Sequence, residues 1–169
     1  MRAWIVRQDH RIVKKLDRAL PRWLLLWAHA LTRSGDGGLW YGVGLFVGVF
    51  GGSKRWLALL AAALSISLGI VFFLMIKRLA RRPRPARSEH RHRLNIDRYS
   101  FPSGHTVTAF ALAESFSRFY PSQEWLFLIA GLIGASRVVL CRHYLSDVLI
   151  GALLGWQTGR LSVYLVERL

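Results

Sequence analysis

Acidic residues, cysteine and proline are all scarce in this sequence of 169 residues. Nine Asp and Glu residues stand against 24 Lys and Arg residues, which gives a formal net charge of +15. The single cysteine, Cys141, excludes an internal disulfide, and no Cys or His spacing is typical of a zinc site. Five prolines and the absence of polar low-complexity runs argue against a disordered basic tail. The composition therefore excludes a small domain held together by disulfides or zinc.

Hydrophobic residues, by contrast, are plentiful and lie in long runs. They make up 53% of the chain, and the mean hydropathy is +0.28. A soluble basic protein would distribute its apolar residues periodically, whereas uninterrupted runs are typical of membrane-spanning helices. Anionic lipid therefore explains the positive charge better than nucleic acid does. We expect an all-α, polytopic membrane bundle whose partner is the lipid bilayer, with no nucleic acid and no obligate protein partner.

Five apolar segments are predicted to form transmembrane helices: residues 39–50, 56–76, 103–120, 125–140 and 145–166. Before them, residues 1–20 mix apolar and cationic positions, which is typical of an amphipathic helix lying on a membrane surface. The stretch 22–32 is too short to span and is interpreted as interfacial or re-entrant, although a sixth span results if it crosses. A turn is predicted at Ser34–Gly38. The expected regions are an interfacial N-terminal part, 1–36, and a transmembrane domain, 37–169.

Polar residues interrupt the apolar pattern in three clusters, at residues 77–85, 102–105 and 136–147. In a five-span bundle, the end of the second span, the start of the third and the turn between the fourth and fifth lie at one membrane face. The three clusters can therefore form a single site.

The third cluster contains His143 and Asp147, four residues apart, so a helix would present both on one face. Together with the cations of the other clusters, these residues suit a reaction at a phosphate group. We expect the Asp147 carboxylate to accept a hydrogen bond from one ring nitrogen of His143, while the other ring nitrogen attacks phosphorus. His105, in the second cluster, is the expected general acid for the leaving alcohol and the base that activates water.

The remaining cluster residues suit a phosphate group. Lys77, Arg84 and Arg137 supply positive charge for its non-bridging oxygens. Ser103 offers a hydroxyl, and the Gly104 N–H at the start of the third span can donate to an anion. These groups need no metal and no cofactor.

The pattern K-x6-R-P at Lys77, Arg84 and Pro85, P-S-G-H at residues 102–105 and S-R-x5-H-x3-D at residues 136–147 resembles the three signature motifs of the type-2 phosphatidic acid phosphatase family. This family also includes the vanadium haloperoxidases. The resemblance runs from about residue 37 to the C-terminus and implies the same roles for His143, His105 and Asp147.

The resemblance implies a metal-independent lipid phosphate phosphatase of a bacterial plasma membrane. Its expected substrate is phosphatidylglycerophosphate, phosphatidic acid, a polyprenyl phosphate or diphosphate, or the 1-phosphate of lipid A, since the motifs bind the phosphate that these share. One alternative is a phosphotransferase, in which a second lipid takes the phosphoryl group. Another is a non-catalytic lipid transporter or scaffold on the same fold, against which the intact His143, His105 and Asp147 argue.

Charge and resemblance indicate opposite membrane faces for the site. With five spans, the site's side carries 19 of the 24 Lys and Arg residues, which favours the cytoplasm. Related bacterial enzymes generally act on the outer face, and phosphate binding accounts for several of these charges. We interpret the site as extracytoplasmic.

Overall fold

The computed structural model describes residues 2–16, 20–85 and 99–169, and all regular structure in these ranges is helical. Residues 86–98, which lie between the second and third predicted spans, fall outside them. The all-α prediction is confirmed for the described part of the chain. Its α-helices are α1 (Arg2–Leu16), α2 (Arg22–Arg33), α3 (Leu39–Phe50), α4 (Arg55–Ala80), α5 (Gly104–Phe119), α6 (Trp125–Val139) and α7 (Leu145–Val166).

The predicted turn at Ser34–Gly38 is a kink between two helices that otherwise continue into each other. Helical hydrogen bonding runs from α2 through this segment into α3, and only Gly37, with φ of 119°, leaves helical geometry. A residue with a Cβ rarely adopts that angle, so glycine allows the bend. The predicted turn therefore takes the form of a kink at Gly37.

The centre of the bundle is formed by α4, α5 and α7, with α6 packed beside α5 and α2. Along α7, Gly151, Gly155 and Gly159 face α5 so closely that a Cβ at Gly155 would overlap the carbonyl oxygen of Val107. A Cβ at Gly151 would lie 2.9 Å from the carbonyl oxygen of Ser103. The main chains of α5 and α7 are therefore in close contact, which fixes the start of α5 against the start of α7.

Large apolar side chains cover much of the outer surface. By length and composition, one helix of the described residues, Gly52–Ala80, is long and apolar enough to cross a membrane. Exposed aliphatic and aromatic side chains also stand on the neighbouring helices, and such extensive apolar surface is typical of contact with lipid. These side chains include Leu26 and Trp27 on α2, Phe46 and Phe50 on α3, Trp56 and Val71 on α4, Leu128 on α6, and Leu149 and Leu153 on α7.

The first helix, α1, packs against α6 and α7. Its position brings Asp9, which is buried, against the first turn of α7. Four cationic side chains of α1 are not buried: Arg7, Arg11, Lys14 and Lys15. The helix predicted at the N-terminus is therefore present, and its placement on a membrane surface stays a prediction.

Candidate active site

His143 lies in the short connection between α6 and α7. The carbonyl oxygen of Arg137 accepts hydrogen bonds from the N–H groups of Arg142 and His143, at 2.9 and 3.2 Å. Within this turn Cys141 has a φ of 51°, so the chain reverses tightly after α6. The reversal places His143, which is 1% exposed, in the wall of a cavity.

The two nitrogens of the His143 ring have different partners. Nδ1 lies 2.7 Å from the carbonyl oxygen of Ser100 and donates to it, which fixes the proton on that nitrogen. Nε2 therefore carries the lone pair, and Arg84 Nη1 is 3.4 Å from it. This is the tautomer that a nucleophilic Nε2 requires, beside a guanidinium able to bind the group under attack.

Asp147 does not make the hydrogen bond to His143 that the four-residue spacing predicted. Its Oδ2 is 3.7 Å from His143 Nδ1, beyond hydrogen-bonding distance. Instead Oδ2 accepts from the Tyr144 N–H at 2.9 Å, and Oδ1 accepts from Arg82 Nη1 at 2.8 Å. Asp147 is the third residue of α7, where its carboxylate caps the helix. The His143 ring is therefore oriented by the carbonyl oxygen of Ser100, and Asp147 acts on it as a nearby charge.

The three predicted phosphate-binding cations, Lys77, Arg84 and Arg137, are all buried around His143. Burial lowers the pKa of His143 well below its ordinary value, and the positive charges of Arg84, Arg137 and Lys77 lower it further. Three positive charges close to one imidazole suit an anionic ligand such as a phosphate group.

Two of these cations are held in place by the chain around them. Arg84 Nη1 donates to the carbonyl oxygen of Arg142 at 3.1 Å. Arg137 Nη1 donates to Thr32 Oγ1 at 2.5 Å, which ties α6 to α2. The guanidiniums are therefore positioned before a ligand arrives, which reduces the entropic cost of binding it.

The start of α5 contributes the P-S-G-H cluster. Ser103 stands at the N-cap, with its N–H donating to the carbonyl oxygen of Asp147 at 3.1 Å and its hydroxyl accepting from Thr106 at 2.9 Å. Gly104 and His105 open the helix and line the same cavity as His143. Four of the predicted site residues therefore line one cavity: Lys77, Gly104, His105 and His143. The Ser103 hydroxyl is buried and already has a partner within the protein.

His105 has a partner that the sequence reasoning missed. Its Nε2 lies 2.6 Å from Oδ1 of Asp36, which stands in the kinked segment before α3. A carboxylate at this distance stabilises the protonated imidazole that a general acid requires. The one signal in the sequence was an acid set among glycines in a chain with few acids.

The cavity measures about 850 Å³, and its charged and histidine side chains are gathered at one end. His143, His105, Lys77 and Gly104 line that end, with Asp36 beside His105. From there it follows α4 toward the other end of the bundle, from Lys77 to Leu59, about 27 Å at 1.5 Å per residue. The walls along this length are mainly aliphatic and aromatic: Trp40 and Leu45 from α3, Leu59, Ile66 and Phe73 from α4, and Leu112 and Phe116 from α5.

Comparison with known proteins agrees with this arrangement. The model of the PAP2 superfamily matches residues 56–169, a range that contains all the motif residues. The chain belongs to the PAP2 superfamily.

Three individual proteins illustrate the similarity, and two of them are lipid phosphatases by name. A lipid A 1-phosphatase from Porphyromonas gingivalis is 44% identical over 73 residues, which is 40% of this chain and 16% of that protein. The crystal structure of Aquifex aeolicus LpxE is similar with a TM-score of 0.74 and 26% identity, over 91% of this chain and 93% of that one. That of a transmembrane PAP2-type phosphatidylglycerolphosphate phosphatase from Bacillus subtilis has a TM-score of 0.78 and 24% identity, over 98% and 87%. The last similarity shows the fold alone.

Proposed function

We propose that this protein is a metal-independent lipid phosphate phosphatase that works through a phosphohistidine at His143. The observation that supports it best is the shape of the cavity. Its one polar end holds two histidines and a lysine, and its remaining length is lined by apolar side chains. A phosphate on a long hydrocarbon group satisfies both parts, because the charged group meets the cations and the chain meets aliphatic walls.

In the proposed reaction, the lone pair on His143 Nε2 attacks phosphorus and the bond from phosphorus to the lipid oxygen breaks. Lys77, Arg84 and Arg137 stabilise the negative charge that spreads over the non-bridging oxygens. His105, protonated and paired with Asp36, gives its proton to the departing alkoxide. The products of this step are the lipid alcohol and phosphohistidine.

The second step regenerates the enzyme. His105, now neutral, takes a proton from water as the water oxygen attacks phosphorus, and the bond from phosphorus to Nε2 breaks. Inorganic phosphate leaves and His143 returns to its starting tautomer, held by Ser100. Asp147 stabilises the positive charge on the ring in both steps, from a distance of 3.7 Å.

We further propose a bacterial plasma membrane protein with a multi-pass transmembrane domain at 37–169 and an interfacial region at 1–36. The substrate would be a phosphomonoester or diphosphate of a membrane lipid. Lipid A 1-phosphate is the first candidate, because the Porphyromonas gingivalis relative that matches part of the motif region is named for it. Phosphatidylglycerophosphate, phosphatidic acid and a polyprenyl phosphate or diphosphate complete the set.

The test is release of inorganic phosphate by the purified protein from each of these lipids, with EDTA present and with His143→Ala as control. Release from at least one lipid, absent in the variant and blocked by orthovanadate, is the expected result, because vanadate bound to His143 imitates the transition state. Activity lost with EDTA and restored by a divalent cation would contradict the mechanism. Transfer to a second lipid without free phosphate would make the protein a phosphotransferase.

A further inference from the structure

Asp9 of α1 is buried against the first turn of α7, which contains Asp147, a residue of the proposed reaction. Its Oδ1 accepts from the Ser146 N–H at 3.1 Å, and its Oδ2 accepts from the Ser146 hydroxyl at 2.5 Å. Oδ2 also accepts from Arg82 Nη2 at 2.8 Å. With 3% exposure, this carboxylate has been removed from water, so these bonds must compensate for its lost hydration.

Arg82 joins Asp9 to Asp147. While Nη2 binds Asp9, Nη1 donates to Asp147 Oδ1 at 2.8 Å and to Ser146 Oγ at 2.7 Å. The guanidinium also lies 4.0 Å above the ring of Tyr144, so it is held in one plane by contacts on its edges and its face. Arg82 therefore couples the position of the Asp147 carboxylate to that of the Asp9 carboxylate.

This sharing also affects the charge that Asp147 presents to His143. If Asp147 were the single partner of Arg82, the pair would be close to neutral and would attract a cationic ring weakly. With Asp9 as a second carboxylate, the group of three carries one net negative charge. That charge lies next to the imidazole, where positive charge develops in the reaction.

We propose that Asp9 is a positioning residue for Asp147, that it acts through Arg82, and that α1 is therefore a working part of the active site. This inference rests on the proposed function. It gives the N-terminal helix a role in turnover beyond any contact with the membrane surface.

Asp9 could also serve only to attach α1, which has other contacts with this region, such as the 5.2 Å separation of the His10 and Tyr144 rings. Asp9→Asn separates the two roles. The amide keeps an oxygen for the Ser146 N–H but loses the negative charge and turns an NH2 group toward Arg82. Attachment is largely kept, whereas the link to Asp147 is broken.

The experiment measures phosphate release in detergent micelles, well below the unfolding temperature of each variant. Asp9→Asn is expected to lower kcat roughly tenfold with little change in KM. Glu124→Gln is the matched control, because it makes the same change in charge at an exposed position at the other end of the bundle, and it should retain wild-type kcat. In an Arg82→Gln background, Asp9→Asn should cause no further loss, because the connecting guanidinium is already absent.

Wild-type kcat in Asp9→Asn would overturn the inference, as would losses that multiply independently in the double variant. A rise in KM with kcat unchanged would also overturn it, since a positioning role acts on the chemical step. Absence of turnover in the wild-type protein on every lipid would overturn the proposed function and this inference with it. The two failures are therefore distinguishable.

Discussion

The imidazole of His143 directs Nδ1 at the main-chain carbonyl of Ser100, at 2.7 Å, with the Asp147 carboxylate 3.7 Å away. A main-chain acceptor is not removed by any side-chain substitution. The tautomer of His143 is therefore secured independently of Asp147, which contributes charge and holds the first turn of α7. Substitution of Asp147 should therefore reduce turnover much less than substitution of His143.

Asp147→Asn should accordingly reduce kcat about a hundredfold, whereas His143→Ala should abolish turnover. Where an aspartate alone fixes the tautomer of a catalytic histidine, its loss lowers kcat about 10⁴-fold. Here the larger part of that loss should be avoided, because the carbonyl oxygen of Ser100 fixes the tautomer. Steady-state phosphate release by the two variants is the measurement. An Asp147→Asn variant as inactive as His143→Ala would show that the carboxylate does orient the ring.

The pKa of His143 leads to a second prediction. Burial and the three nearby cations hold it well below the value of about 6.5 that a free imidazole has. The ring should therefore remain neutral and nucleophilic throughout the range from neutral pH to below 6.5. NMR titration of histidine labelled with ¹⁵N in the ring, with His143→Gln to assign the signal, measures this directly.

The same shift affects stability. The unfolded chain takes up this proton near pH 6.5, whereas the folded protein does so only at lower pH. Because the unfolded state binds more protons in that interval, the free energy of unfolding should fall as pH decreases from 6.5 toward the folded pKa. A His143 titration at or above 6.5 would contradict both expectations.

The contact between α5 and α7 can be tested through its glycines. Gly155→Ala should lower the free energy of unfolding by about 1–3 kcal/mol, because its Cβ would overlap the main chain of α5 at Val107. Gly131→Ala, on α6, is the matched control, since a Cβ there would meet nothing within 4 Å. Thermal unfolding in one detergent compares them, and equal melting temperatures would show that the helices are not in backbone contact.

Much of the site could be predicted from the sequence because its residues lie in three short motifs with fixed spacing. Lys77 lies near the end of α4, Gly104 begins α5, and His143 lies between α6 and α7, so the order of the helices was enough to bring them to one end. The spacing of Gly151 and Gly155 is likewise a signal in the sequence, since small residues one turn apart form a groove in which a second helix can pack.

The contacts that were missed depend on the three-dimensional path of the chain. Ser100 acts through its carbonyl oxygen, which every residue has, so its identity carried no signal. Asp9 and Arg82 are 73 positions apart. The sequence of α1 is typical of a cationic amphipathic helix, and nothing in it marks its one acid, Asp9, as a partner of Arg82. Asp36 and His105 are 69 positions apart, so nothing in the local sequence indicated their contact.

The direction in which the site faces is open to a labelling experiment. Single cysteines at Arg78, exposed at the cavity end of α4, and at Ser53, exposed at the opposite end, are placed in a Cys141→Ser background. In intact cells, a membrane-impermeant thiol reagent should label position 78 and leave position 53 unlabelled, as expected for an extracytoplasmic site. The reverse result would place the site in the cytoplasm, as the distribution of Lys and Arg indicates.

The proposed mechanism depends most directly on a phosphoryl group carried by His143. The measurement is rapid quenching of the enzyme with a lipid phosphate labelled with ³²P, followed by denaturation at alkaline pH, where a bond from phosphorus to nitrogen survives, and mapping of the labelled residue. Label on His143, formed and lost at the rate of turnover in the wild-type protein and absent from His143→Ala, is the predicted result. Label on another residue, or phosphate release by His143→Ala at the wild-type rate, would contradict the account.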